Sequence, residues 1–434
     1  MVCRIAADVP GAAAAQVRGV DGAPSVVVGG TGYWFFGDTL RAGPGGRQDV
    51  IPATVATTSD ADGGDCVDLR FKQSAGLAQP LFPRRDETTA WPDGILPLDD
   101  GSIAFYMVKV RRESPFAWHV ESVGLGRVAP GTTDGTRSIE TIWEGNSGFP
   151  ARVSGARSPV RVGGDVIVYL HTDDGANYAA KAPLDRIADA TAYTYWDGSG
   201  WTPRPADARP LWPTSHGALP ADNGVAVTYD AGAGRWLAIY NGDLATVQVR
   251  TAPQPWGPWS EPAMWFDCRP LVGQQYPYCY SAELHRELSR DDATLYLTFS
   301  SQQPYDVTLV ELRLGVGVHE WRAPDGTLRY AASAPAGDLA DGGAAFYASD
   351  RPLPGLDPVY LRDDGTYALG APAPGAQPAF YAYAAPSPGA VRTMPVYRWR
   401  RDGHEALDAR DRPDWERGGI AFYVPCVEIG ACSQ

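Results

Sequence analysis

Hydrophobic positions along this chain fall into short strand-like runs and show little helical period. Tyr33-Trp34-Phe35-Phe36 is a continuous apolar run that stops at Gly37-Asp38-Thr39, which reads as a buried β-strand ending in one carboxylate. Four comparable runs follow, centred on Phe105-Tyr106, Val168-Tyr169, Ile239-Tyr240 and Leu297-Thr298-Phe299. Their starting positions lie 70, 63, 70 and 59 residues apart. Sheet-sized units repeating at a near-constant period predict radial β architecture, here an all-β, five-bladed β-propeller. The five runs end in Asp38, Lys109, His171, Asn241 and Ser300. A constant apolar frame with a variable polar end is a suitable frame for a site.

Turn chemistry divides the chain into blades at about 18–75, 80–140, 145–205, 210–265 and 270–316. Asp62-Gly63-Gly64, Pro130-Gly131 and Asp197-Gly198 mark the breaks. Tyr195 to Trp201 reads as a hairpin around Asp197-Gly198. Asp173-Asp174 and Asp291-Asp292 read as hairpin turns. Residues 1–17 are rich in alanine and are expected to be peripheral. The longest helical candidate, 183–192, is short. Beyond Gly317 the pattern changes. Val318-His319-Glu320-Trp321, Val359-Tyr360-Leu361-Arg362 and Val396-Tyr397-Arg398-Trp399 recur at 41 and 37 residues. Ala345-Phe346-Tyr347, Ala379-Phe380-Tyr381 and Ala421-Phe422-Tyr423 recur at 34 and 42. Three β-rich units of this length predict a small pseudo-threefold, trefoil-like domain. The reading is therefore a propeller at 1–317 and a β-repeat domain at 318–434.

Composition sharpens this picture. Hydrophobic residues make up 44% of the 434 positions, enough for a true core, while 49 Gly and 38 Pro suit many strands joined by turns. Fourteen Trp serve either β-cores or stacking on sugar faces. A net charge of −14 argues against nucleic acid or an anionic membrane as partner. No apolar stretch is long enough for a membrane span. Six cysteines, Cys3, Cys66, Cys268, Cys279, Cys426 and Cys432, contain two close pairs. They suggest disulfides Cys268–Cys279 and Cys426–Cys432, with Cys3–Cys66 left over, and hence export to the outside or the cell surface. Free thiols and a metal site are the alternatives, although no CxxC occurs. If Cys3 instead carries a lipid after a trimmed leader, the Cys3–Cys66 pairing fails.

Several elements in order carry a family resemblance: Phe36-Gly37-Asp38-Thr39, Trp91-Pro92-Asp93-Gly94, Tyr195 to Trp201, Arg250-Thr251-Ala252 with Gly257-Pro258-Trp259-Ser260, and Leu295-Tyr296 followed by Pro304-Tyr305-Asp306-Val307. Over about residues 18–316 the chain resembles a family of bacterial five-bladed propellers that act on glycans and include endo-D-arabinanases. The C-terminal units resemble a repeat appended to secreted bacterial enzymes, for which a sugar- or wall-binding role is the usual expectation. The resemblance implies a catalytic pair of aspartates. Asp38 matches one, and Asp21, in Val20-Asp21-Gly22, is the nearest counterpart of the other.

Glycoside cleavage needs one carboxyl group to protonate the leaving oxygen and another to act as nucleophile or to activate water. Asp38, at the end of an aromatic strand, is expected to be the buried acid. Asp21, following Arg18, is expected to stay ionised as base or nucleophile. Either aspartate could instead be a turn residue. Trp91, Asp93, Arg152, His171, Glu283 and His285 are candidate substrate-binding residues, with His216 a weaker one. Glu283 and His285 alternate with Ser281 and would share its face. The bland readings are a turn for Asp93, core for Trp91, a surface ion pair for Arg152 and satisfied structural roles for the histidines. No nucleophile elbow, P-loop or dinucleotide motif is present. The expected protein is a monomeric hydrolase of a furanose-containing polysaccharide that requires no cofactor, with a structural calcium an option. A glycan-binding protein without catalysis is the alternative, and a lyase or sialidase ranks last.

Overall fold

The computed structural model describes residues 2–43, 47–83, 89–114, 117–145, 148–213, 224–230, 235–243, 245–273, 275, 278–289, 294–313, 316–331, 334–349, 356–362, 365–370, 377–386, 393–409 and 412–425. His216, Asp291, Asp292, Cys426 and Cys432 lie outside the described residues. The chain separates into two compact units. One comprises Met1–Trp259, Cys268–Arg290 and Tyr296–Glu311. The other comprises Ser260–Asp267, Asp291–Leu295 and Leu312–Gln434.

Among the described residues five larger antiparallel sheets follow one another in chain order, beside a three-stranded sheet of Val17–Val20, Thr39–Ala42 and Gln48–Ile51 and a two-stranded ribbon of Gln73–Ser74 and Leu77–Ala78. The first holds Ser25–Val28, Thr31–Phe36, Thr54–Thr58 and Arg70–Phe71. The second holds Thr89–Pro97, Ile103–Ser114, Ala117–Val128 and Gly135–Glu144. The third is built on Val153–Val162, Asp165–Thr172 and Asn177–Pro183, continued by the Thr194–Trp196 and Trp201–Thr202 hairpin. The fourth includes Ala226–Asp230, Arg235–Asp243 and Thr246–Ala252, and the fifth Cys279–Leu284, Thr294–Gln302 and Tyr305–Arg313. In these five sheets most strands pair with their neighbours in sequence through short turns; the exceptions are Thr31–Phe36, which pairs with Thr54–Thr58 across two intervening strands, and the N-terminal strand of the fifth sheet. The two-residue turn Gly29-Gly30, with φ of 58° and 78°, has the backbone that a tight hairpin requires.

The aromatic runs supply the second strand of the first four sheets, and Leu295–Ser300 does the same in the fifth. Tyr33 to Phe36 are all buried, because an interior strand packs on both faces. Apolar packing then joins each sheet to the next. Phe35 meets Phe105 at 5.9 Å between ring centres, joining the first two sheets. Tyr106 and Tyr193 share a 2.9 Å hydroxyl contact between the second and third, and Tyr169, Trp212 and Tyr240 sit in one cluster between the third and fourth. Asn241 accepts the Ala282 backbone N–H at 3.1 Å between the fourth and fifth. Trp34 stacks on His285 at 4.3 Å, returning from the fifth sheet to the first.

The N-terminal segment differs from its expectation. Cys3–Arg4 is an outer strand of the fifth sheet, paired with Thr308 and Leu309. Short helices Ile5–Asp8 and Pro10–Ala14 follow, burying Ile5, Val9 and Ala12. The Asp306 carboxylate accepts the Ala6 and Ala7 backbone N–H groups at 2.8 and 3.2 Å and so ties down a helix start. The small alanine side chains that made this stretch look peripheral are what let it pack closely. Disulfides join Cys3 to Cys66 and Cys268 to Cys279. Among the described residues no helix is long and apolar enough to cross a membrane.

In the second unit each repeat forms a three-stranded sheet around a central strand: Val316–Arg322, Asp357–Leu361 and Thr393–Arg401. Val318, Val359 and Val396 are fully buried at equivalent positions. Phe346, Phe380 and Phe422, one from each Ala-Phe-Tyr tripeptide, meet with ring centres 5.4, 5.5 and 5.5 Å apart. The recurring tripeptide is thus one aromatic core assembled from three copies.

Candidate active site

Asp21 follows the strand Val17–Val20, and Asp38 follows Thr31–Phe36. Two backbone contacts bring them together. The Gly37 N–H donates to the Asp21 carbonyl at 2.7 Å, and the Asp38 backbone N–H donates to the Asp21 carboxyl group. A Cβ on residue 37 would stand 2.5 Å from Asp21 Oδ1, so only glycine permits this approach. Gly22 N–H is fixed by Ser300 Oγ at 2.9 Å, so the polar end of the fifth aromatic run holds the Asp21 loop.

The two carboxyl groups have different surroundings. Burial and the neighbouring Asp38 charge push Asp21 up to about 7, against hydrogen bonds from Tyr305 and Tyr280 that favour its ionised form. Tyr280 Oη lies 3.3 Å from Asp21 Oδ2. Asp38 is paired with the Arg112 guanidinium through Oδ2 and accepts Trp91 Nε1–H at 2.9 Å through Oδ1. Arg112 stands 5.7 Å over the Trp91 ring, and Trp118 meets that ring edge-on at 5.2 Å. Trp118 is 49% exposed. The environments are therefore the reverse of those read from the sequence. Arg18 is exposed and contacts Gln16, so it supplies no charge to Asp21. The cation sits on Asp38, delivered by the second sheet.

A second cluster is centred on Arg157, which is 2% exposed. Its Nε lies 3.2 Å from Asp93 Oδ1, its Nη2 pairs with Glu283, and the same nitrogen donates to Ser281 Oγ at 3.1 Å. Asp93 also accepts the Ala156 N–H at 2.8 Å, yet burial still pushes it up to about 6. His171 packs beside Gly155, Asp93 and Arg157. Burial, then the Arg157 charge, holds it down to about 3, so it is neutral. Its Nδ1 is buried and has no hydrogen-bond partner among the described residues.

Among the sequence-derived candidates, Asp21, Asp38 and Trp91 thus form one group, and Asp93, His171 and Glu283 another. Two stand apart. Arg152 exchanges backbone contacts with Asp173, and its side chain lies against Gly145. His285 lies beyond the end of its strand and is fully buried. It contacts Ser25 Oγ and Thr298 Oγ1 at 2.7 Å each and stacks on Trp34. A bulge breaks the alternation that was expected to align it with Ser281. Sequence reasoning missed Arg112, Arg157, Tyr280, Tyr305 and Trp118. Only the Pro304-Tyr305-Asp306-Val307 element carried a signal for one of them. Among the described residues no three His, Cys, Asp or Glu side chains converge as metal ligands.

The sequence profile described as "Domain of unknown function (DUF4185)" matches residues 12–311. None of the curated proteins matches the chain. The chain is similar in structure to an alpha-L-arabinofuranosidase from Clostridium thermocellum ATCC 27405, at 12% identity and a TM-score of 0.45, over 71% of this chain and 92% of that one. It is also similar to an alpha-L-arabinofuranosidase from Podospora anserina, at 11% identity and 0.41, over 68% and 91%. A third similar structure is a family-43 enzyme from Xanthomonas citri, at 14% identity and 0.40, over 74% and 94%.

Proposed function

This chain belongs to the family described as Domain of unknown function (DUF4185), and we propose that it is a secreted glycoside hydrolase cleaving furanosidic linkages, an endo-D-arabinanase on mycobacterial-type arabinan. The observation that carries this reading is the Asp21–Asp38 pair, two adjoining carboxyl groups in opposite electrostatic surroundings. That contrast is what an acid and its ionised partner need. We assign Asp21 as the general acid, protonated near neutral pH. Asp38, paired with Arg112 and accepting from Trp91, is assigned as the base or nucleophile. Tyr280 and Tyr305 are themselves raised well above their ordinary value by burial, so they remain neutral donors to the pair. The cyclic packing of five sheets supports a five-bladed propeller at 1–317 with the pair on its first blade. Residues 318–434 are read as a trefoil-like accessory domain that binds carbohydrate. The two disulfides favour an extracellular location. The reaction so written uses only these side chains and water.

The test is digestion of mycobacterial arabinogalactan and plant arabinans by the parent protein and by Asp38→Asn, with released oligosaccharides as readout. Fragments from the parent alone support the proposal and identify the sugar. Binding without fragments from either protein would replace it with a glycan-binding role. A finer prediction concerns Trp91. Trp91→Phe keeps the ring but removes the donor to Asp38, and kcat/KM on the same oligosaccharides is expected to fall roughly 10- to 100-fold, the effect of losing one hydrogen bond to a charged group.

A further inference from the structure

A bulge in the fifth sheet links the aspartate pair to the Arg157 cluster. Cys279–Leu284 is in register with its partner strand at Tyr280 opposite Ser300 and again at Glu283 opposite Thr298, so one strand carries an extra residue. In an unbroken strand Tyr280 and Ser281 would point to opposite faces. Here both address the Asp21-Gly22 segment. Tyr280 Oη reaches Asp21, and Ser281 Oγ lies 3.9 Å from where a Cβ on Gly22 would stand. Ser281 takes a left-handed backbone, φ 55°, to achieve this. A serine there is strained and needs its surroundings to hold it. Arg157 provides that hold, since its Nη2 bonds both Ser281 and Glu283, while Asn241 takes the intervening Ala282 N–H.

We infer that Arg157 is a positioning residue for the candidate active site: by gripping Ser281 and Glu283 on either side of the bulge, it holds the backbone that aims Tyr280 Oη at Asp21. The inference rests on the geometry of this site and does not require it to hydrolyse glycans. The groups facing Asp21 are Asp38 from the first sheet and Tyr280 and Tyr305 from the fifth. Tyr278 and Gln302 adjoin Tyr280, and Arg112 lies on the far side of Asp38. Of these contacts, the Tyr280 hydrogen bond is the one the bulge controls. It favours the ionised Asp21, so loosening it raises the pH at which Asp21 titrates.

The experiment is a carboxyl-¹³C NMR titration of the intact chain carrying labelled aspartate, with the Asp21 signal identified by its loss in Asp21→Asn. Arg157→Lys keeps the charge but gives up the guanidinium fork, in which Nε faces Asp93 while Nη2 reaches Ser281 and Glu283. Its Asp21 midpoint is expected to rise by roughly 0.5–1 pH unit, the equivalent of one hydrogen bond. Tyr280→Phe should produce the same rise, and the double variant no further one. Ser281→Ala, which removes the hydroxyl that Arg157 grips and keeps the strained left-handed backbone, is the second variant if Arg157→Lys does not fold. The inference is overturned if these variants leave the midpoint at the parent value, or if their shift adds to that of Tyr280→Phe. Because no substrate enters the measurement, failure here and failure of the hydrolase reading are separate results.

Discussion

Asp21→Asn is expected to lose turnover by about 10²- to 10⁴-fold while gaining stability at neutral and alkaline pH. The activity loss is the ordinary contribution of a positioned general acid. The stability gain follows from proton linkage. Asp21 titrates near 7 in the folded chain against an ordinary value of 3.8. Towards pH 3 both folded and unfolded chains hold the proton, so the Tm values of parent and variant should converge. As pH rises to 7 the unfolded chain releases its proton first, and the parent loses stability relative to the neutral amide. Above 7 the difference levels off at a ceiling of roughly 4 kcal/mol, which the partial solvent access of Asp21 will reduce. Thermal melts of both proteins from pH 3.5 to 9, beside turnover at pH 6, check both halves. A constant Tm difference across that range would contradict the burial assigned to Asp21. Equal turnover would remove it from the reaction.

Arg157→Leu is expected to destabilise the first unit by roughly 3–5 kcal/mol, because it leaves Asp93 and Glu283 as buried carboxylates without their cation. Part of this loss should return when the carboxylates are neutralised as well. Adding Asp93→Asn and Glu283→Gln to Arg157→Leu is expected to recover at least half of it. Urea unfolding of the single and triple variants is the measurement. If the triple variant is no more stable than the single one, packing of the arginine stem outweighs its charge. The pH dependence of the parent provides a second check. Asp93, raised to about 6 by burial in spite of Arg157, makes its largest stabilising contribution when protonated and loses it as pH rises through 6.

Short-range information in the chain was sufficient for much of the architecture. The apolar runs, their spacing and the Gly/Asp turns located the five sheets, because hydrogen-bonded meanders are local and their turns need particular residues. The Ala-Phe-Tyr tripeptides located the three C-terminal sheets for the same reason, and the cysteine pairs Cys3–Cys66 and Cys268–Cys279 were readable by count and spacing. What failed depended on long-range packing. Residues 3–14 looked peripheral by composition, yet Cys3, Ile5, Ala6, Val9 and Ala12 are buried and the segment is tied to strands about 300 residues further along the chain.

The site divides along the same line. The candidate carboxylates Asp21 and Asp38 were visible because each sits in a recognisable local motif. Their electrostatic characters were not visible, because Arg112 and Trp91 come from the second sheet, and Tyr280 and Tyr305 from the fifth. Alternation along Ser281, Glu283 and His285 suggested one shared face; Ser281 and Glu283 do meet, on an arginine side chain 124 positions before Ser281, while the extra residue in the strand and its end at Leu284 leave His285 elsewhere. The sequence alone determined which strands form and which acids stand at their ends, since both follow from neighbouring residues. Only the tertiary structure decided which carboxyl group is buried away from a cation and which is paired with one, since burial and charge are properties of the groups that folding brings near.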